Sequence, residues 1–334
     1  MPASLSPRTL VALTAAFIAA VFVFAGVYTA TQHNPTPHKM RVGVVGPEDV
    51  YLKLNAGLNL SAPGYFKLYR YADEAGLKSA IKDRKIYGGY VQKTGAGLLI
   101  TASAAGKAPQ TALTLVATKL AAAVPEPLRS QDLVPLPAND SQGLSSYTFQ
   151  YGLLVPAFFF GILLFMFASG VSLVWRLGLI GAYSLCAGIL GALTVDQIVD
   201  ALPGHFAALA GLGILYSAMA VLVTYGLSRL MGYLGLVLAG LILILVGNST
   251  GGGSINQEFL PNTFRDLGQV LPNGAFIRTV RDTVYFNGHN TGQSLMVVAF
   301  WAVGGLVLVL VADPVRALVA RPMRSKKAAP KPAS

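Results

Sequence analysis

Six charge-free apolar runs alternate with polar segments along the chain: Leu10–Ala30, Tyr151–Val174, Leu177–Val195, Phe206–Leu227, Leu230–Val246 and Ser294–Ala312. A helix needs about 20 apolar residues to cross the hydrocarbon core of a bilayer. Backbone amides in lipid must bond within their own segment, so each run is expected to be helical. The pattern predicts a polytopic α-helical membrane protein with six transmembrane helices. An N-terminal anchor occupies residues 1–30, and a five-helix membrane domain occupies 149–312. The first run is too long for the apolar core of a cleaved signal peptide. Tyr28 also suits the outer small-residue position of a cut after Ala30 poorly.

The segment between the first two runs has a different period. Arg41–Val45 reads as a short strand before Gly46-Pro47, and Tyr65–Tyr71 alternates like a second strand. Tyr87–Gln92 and Leu98–Ala102, joined at Gly95, read as two more. Helices are predicted over Glu48–Leu58, Asp73–Ile86 and Pro109–Ala123, the first two with acids in their first turn where the helix dipole favours them. The order is strand, helix, strand, helix, strand, strand, helix. Residues 31–148 are therefore expected to form an inserted extracytoplasmic α/β domain with linkers. The order resembles a thioredoxin-like one, but the segment has no Cys, so redox chemistry is excluded. Val124–Ser146, rich in Pro, Ser and Asp, reads as a linker back to the membrane.

Charge placement orients the spans, because short cytoplasmic loops collect Lys and Arg. Arg8, Arg176, Arg229 and the basic tail over 313–334 fall on one side if six spans alternate. Both termini are then cytoplasmic, in a cytoplasmic (inner) membrane. Residues Asn248–Gly292 carry Arg265, Arg278 and Arg281 on the other side, mildly against the rule. The formal net charge of +11 changes little, since its clustered part lies in the tail, where anionic lipid is the simpler partner. No aromatic-basic module accompanies it, so nucleic acid is not an expected partner.

The chain shows little catalytic chemistry. Gly106-Lys107 lacks a phosphate loop, His-Glu-x-x-His is absent, and His33, His38, His205 and His289 are scattered. No enzyme activity, cofactor or metal is expected. Cys186 is the single cysteine and sits in a span, so no internal disulfide can form. Asp196 and Asp200, four residues apart at the end of the third run, form a candidate intramembrane polar site, or else solvated interface residues. Tyr216, Ser217, Thr224 and Tyr225 either line a path or bond to neighbouring helices. Gly181, Ala182, Ala187, Gly188, Gly191 and Ala192 offer small surfaces for close helix packing.

Residues 254–288 carry the most specific pattern. Leu260, Phe264, Leu267 and Leu271 recur at helical spacing. Pro272-Asn273-Gly274 then breaks the helix, with Asn273 as a cap for the next. Phe276, Val280 and Val284 form an apolar face opposite Arg278, Arg281 and Asp282. Two helices too short to span predict an outer amphipathic hairpin, re-entrant or interfacial; the alternative is an ordinary loop lying on the bilayer.

One span, a large outside domain, five more spans and a Leu-Pro-containing hairpin before the last resemble the type-2 ABC transporter permeases. The closest branch is that related to bacterial phage infection protein. The residues carrying the likeness are Phe259-Leu260-Pro261, Leu271-Pro272, Arg278 with Arg281, and the helix-to-strand turn Ala80–Gly89. The resemblance implies a homodimeric permease component of an exporter, driven by a separate ATPase. It gives the hairpin residues Leu260, Pro261, Leu271, Pro272, Arg278 and Arg281 a gating role, and makes Trp175, Arg176 and Arg229 the coupling positions. Such permeases carry a coupling helix between the second and third spans, whereas here only Trp175-Arg176 separates those runs. A non-transporting, membrane-anchored envelope protein whose outside domain binds a partner or a phage is the alternative.

Overall fold

The computed structural model describes residues 6–33, 35–123 and 127–319. Eleven helices and five strands are described in these stretches, with short 3-10 turns between them. Five helices are long and apolar enough to cross a membrane: Ser145–Phe167 (α5), Leu173–Ile198 (α6), Phe206–Met231 (α7), Tyr233–Thr250 (α8) and Thr291–Leu318, the last within α11, Thr291–Val319. The first apolar run lies in α1, Pro7–Gln32, whose stretch Ile18–Gln32 is apolar but shorter than these five. Its Tyr28 hydroxyl accepts a hydrogen bond from Asn248 of α8 at 2.9 Å.

Helix ends depart from the apolar runs in ways local chemistry explains. The break between α5 and α6 falls at residues 168–172, around Gly170, so Trp175 and Arg176 lie inside the first turn of α6 and not in a loop. The fourth run does not stop at Ser228-Arg229. α7 continues to Met231 and turns at Gly232, whose φ of 68° is the left-handed conformation that glycine adopts freely at helix ends. α6 widens into a π turn over Leu193–Ile198, which draws Asp196 into the helix. α11 runs through Pro314 to Val319, past the expected end at Ala312. Arg321, Arg324, Lys326, Lys327 and Lys331 of the basic tail lie outside the described residues.

Helix α7 is the axis of the bundle and packs against α5, α6, α8 and α11. Bare glycines let it come close. An added Cβ at Gly161 of α5 would lie 2.8 Å from the Thr224 side chain, and one at Gly305 of α11 would lie 2.8 Å from the Val223 amide nitrogen. Of the small residues in α6, Gly188 and Gly191 make close approaches, whereas Gly181 faces open space.

Residues 40–132 carry a five-stranded mixed sheet. Its strands are β1 (Met40–Val45), β2 (Phe66–Arg70), β3 (Gly88–Lys93), β4 (Ala96–Thr101) and β5 (Leu128–Asp132), in spatial order β2-β1-β3-β4-β5. All neighbours are parallel except the β3–β4 hairpin. Helices α2 (Glu48–Ser61) and α4 (Lys107–Ala123) pack together, while α3 (Glu74–Lys82) packs on β1 and β3. Helix α3 starts at Asp73, whose carboxylate accepts from the Gly76 amide at 2.7 Å. It ends at Lys82, earlier than expected, because Arg84 turns the chain with a φ of 54°. Within the expected linker over Val124–Ser146, Leu128–Asp132 instead forms β5 at the sheet edge beside β4.

The 254–288 segment folds as two short helices, α9 (Asn262–Val270) and α10 (Pro272–Tyr285). Pro272 starts α10 at the position where its missing N–H costs nothing. Asn273 is not the cap. Its amide is buried and donates to the Leu243 carbonyl of α8 at 2.9 Å, and Leu271 holds the cap position instead. The segment contributes to both apolar cores: Phe259 and Phe286 pack with the sheet, and Ala275, Phe276 and Val280 pack with the bundle. The Phe276 ring packs, tilted, 4.3 Å from Tyr216 of α7 and 5.6 Å from Phe149 of α5. The two helices differ in burial, since Val280 is 0% exposed and Leu267 is 39% exposed. Val280→Asp is expected to cost on the order of 3–5 kcal/mol, as a buried charge without a partner does. Leu267→Asp should cost far less. Thermal unfolding of the two purified variants measures the difference, and equal loss would mean that α9 is held as tightly as α10.

Candidate functional site

The polar face of α10 meets the α3–β3 turn in a buried charged junction. Arg84 Nη1 donates to Asp282 Oδ1 at 2.5 Å, with side-chain exposures of 14% and 3%. The Arg84 guanidinium also lies 5.3 Å from the centre of the Phe286 ring, a cation–π distance. Arg84 is one of five non-glycine residues with positive φ among the described ones. Glycine or asparagine usually fills that conformation after a helix, so an arginine there accepts backbone strain while its side chain completes the junction. Around it, Asn290 donates to the Asp83 carbonyl at 2.6 Å, and His289 Nδ1 lies 3.2 Å from Asp83 Oδ1. Tyr285 donates to Asp140 at 2.8 Å, and Asp140 also accepts from the Leu144 and Ser145 amides at the start of α5.

Two further arginines of α10 are held without a bonded carboxylate. Arg278 donates to Gln257 Oε1 at 2.7 Å, to the Gln269 carbonyl at 3.1 Å and to Ser294 Oγ at 3.3 Å. Arg281 is 5% exposed and donates to the carbonyls of Gly252, Gly253 and Gly143. Neither forms an ion pair with a described carboxylate. Burial, aided by the positive charge of Arg84, lowers both guanidiniums; Arg281 falls to about 10, which still leaves it charged at neutral pH. Burial opposes the charge on Arg84 too, but Asp282, Tyr87 and Glu258 together offset this and hold the guanidinium above its ordinary value. Tyr87 is pushed well above the usual phenol range by burial and by Glu258.

A second feature is an apolar groove of about 640 Å³ between α5 and α6. Phe149, Leu153, Pro156, Tyr183, Leu190 and Val195 line it, and Ser145, Thr148 and Thr194 supply hydroxyls. Cys186 is exposed on its wall.

At the other end of the bundle, Arg176 Nη2 and Arg229 Nε donate to the two oxygens of Asp313 at 2.5 and 2.7 Å. Arg176 also donates to Tyr225 at 2.7 Å and is 4% exposed, whereas Trp175 is 70% exposed. Of the three coupling candidates, Arg176 and Arg229 are thus brought together as an internal clamp of α6, α7 and α11. Trp175 stands apart on the surface.

Asp196 and Asp200 do not share a face. Asp196 is 4% exposed and accepts from the His205 amide at 2.8 Å and from Gln197. Asp200 is exposed in the following turn, with a φ of 54°. Tyr216 and Tyr225 bond to neighbouring helices, through Gln150 and Arg176. The Ser217 and Thr224 hydroxyls are buried with no hydrogen-bond partner. Leu260, Leu271 and Pro272 are buried, whereas Pro261 is exposed. Arg278 and Arg281 join the junction; Arg84, Tyr87, Glu258 and Asp140 belong to it as well and were not legible as site residues. Among the described residues no group of three or more His, Cys, Asp and Glu side chains is placed to hold a metal ion. No protein-family model, curated protein or solved structure matches this chain.

Proposed function

We propose that this chain is a permease-like membrane component of an exporter, working as a homodimer with a separate ATPase subunit. In this reading α1 is the sixth span, residues 31–148 lie outside the cytoplasmic membrane and both termini lie inside. The observation that carries it is the apolar groove of about 640 Å³ between α5 and α6, large enough for a lipid-like molecule, hydrophobic peptide or drug. Two spans that enclose such a groove supply a pathway for apolar cargo. The architecture and motifs that resemble type-2 ABC permeases support the reading. In this reading a separate ATPase supplies the energy, and exposed Trp175 beside the 168–172 turn is the contact point we assign to it.

Purified in mild detergent from its host, the protein is expected to bring an ATPase chain with it. Trp175→Ala should then lower ATP turnover several-fold without changing folded yield. The internal clamp on Arg176 favours a second reading, since it withdraws the expected coupling arginine from the surface. In that reading the chain is a non-transporting envelope protein whose sheet-bearing unit binds a partner. A protein that purifies alone, from a host whose deletion strain exports lipophilic compounds normally, would select this second reading.

A further inference from the structure

A cavity of about 310 Å³ opens where the sheet unit, α10 and the first turn of α11 meet. Three guanidiniums line it, and each comes from a different element: Arg41 from β1, Arg84 from the α3–β3 turn and Arg278 from α10. Only two carboxylates line it, Glu258 and Asp282. Asp282 is committed to Arg84, and Glu258 sits close enough to Tyr87 to push its hydroxyl up. The wall therefore carries one positive charge in excess. Arg281 lies behind it, bonded only to carbonyls, in a small adjoining cavity shared with Arg84, Tyr87, Glu258 and Arg278.

A buried positive charge that meets only neutral acceptors lacks the counter-charge that would offset its lost hydration. Arg278 hydrogen-bonds only neutral acceptors, and burial together with the repulsion of Arg84 outweighs the attraction of Glu258 and Asp282 and lowers its guanidinium. Arg41 is half-buried and donates one hydrogen bond, to the Arg84 carbonyl at 3.3 Å, which leaves other N–H groups of its fork for a ligand. Asn290, Gln293 and Ser294 add polar groups at the cavity rim, and Ser294 sits in the first turn of the long helix α11, whose dipole favours an anion. Guanidinium forks match the oxygens of phosphate in geometry as well as in charge.

We propose that this cavity is a binding site for a phosphate group, carried either by a free phosphate compound or by a phospholipid headgroup. The arginines of β1, the α3–β3 turn and α10 hold the phosphate oxygens, and its charge neutralises the excess on the wall. Because α11 enters its apolar span within the same turn, a headgroup would reach the cavity at the level where lipid phosphates lie. The site stands on this cavity alone and does not depend on transport, so its test is separate from that of the exporter reading.

The test uses the full chain in mild detergent and chloride buffer, titrated calorimetrically with inorganic phosphate and with dihexanoyl phosphatidic acid. Saturable binding of at least one probe is expected. Arg41→Gln should weaken it about tenfold, the scale of one charge-assisted hydrogen bond. Arg278→Gln should weaken it further. If Arg278→Gln does not fold, Arg41→Gln decides alone, because Arg41 is partly exposed and bonds only one carbonyl. Tighter binding of phosphatidic acid than of phosphate identifies the headgroup as the source. Equal binding, with mutual competition, identifies a free phosphate compound. Absence of saturable binding to either probe, or binding that Arg41→Gln leaves unchanged, overturns the proposal.

Discussion

Asp282→Ala is expected to destabilise the protein by about 3–5 kcal/mol, the cost of removing one partner from a buried ion pair. The asymmetry between the two partners is the sharper expectation. Asp282 faces Arg84 at 2.5 Å and also attracts Arg278 and Arg281. Its removal leaves three guanidiniums around one buried position, with only the more remote Glu258 and Asp140 to offset them. Removal of Arg84 instead relieves the repulsion that Arg84 exerts on Arg278 and Arg281, and leaves Asp282 with those two. Arg84→Met should therefore cost less than Asp282→Ala. The double variant should recover only part of the loss, because Arg278 and Arg281 remain. Melting temperatures of the three purified variants, with limited proteolysis of the α3–β3 turn, measure this. Equal destabilisation by the two single variants would show that the pair acts in isolation from the other arginines.

Gly188→Leu should abolish correct assembly of the bundle, while Gly181→Leu on the same helix should leave it intact. A Cβ at Gly188 would meet the Ile214 amide nitrogen of α7 and lie 2.8 Å from the Gly213 carbonyl carbon. These are backbone atoms, which cannot rotate away as a side chain can. Overpacking of a well-filled core costs about 1–3 kcal/mol, and a clash with a neighbouring helix backbone belongs at the top of that range or above it. Gly181 has nothing within 4 Å of the added Cβ. Size-exclusion profiles in detergent distinguish the two. A monodisperse Gly188→Leu protein would mean that α6 and α7 can separate without loss of the fold.

The two expectations draw on different kinds of information. That α6 is a helix with a small-residue surface follows from the order of residues 177–195 alone. That Gly188, and not Gly181, touches α7 does not follow, because the two lie seven residues apart on the same side of the helix. Apolar length and periodicity report on a segment's own solvent and conformation, which is why all five long spans and the two short helices of 254–288 were legible. Their ends were less so. The α6 boundary moved by several residues because no charge or proline marks the 168–172 turn, and Arg176 looked like a loop residue because its partners Tyr225 and Asp313 are distant in sequence. β5 escaped notice for a related reason. Leu128–Asp132 is mostly exposed and has no alternating apolar pattern; its place is set by ladder bonds to β4 at the sheet edge.

The sequence by itself determined the membrane class of the chain, the helical segments, most strands of the sheet and the amphipathic pair before the last span. These depend on hydropathy and period over stretches of about ten to twenty residues. Only the tertiary structure decided which charges meet. Arg84 and Asp282 are 198 positions apart, and nothing local to either encodes the other. In the sequence, Arg278, Arg281 and Asp282 read as a polar face turned away from the apolar one. Packing of the sheet unit onto α10 buries that face as well, and burial in low dielectric turns an ordinary stripe of surface charge into a junction whose partners must all be satisfied.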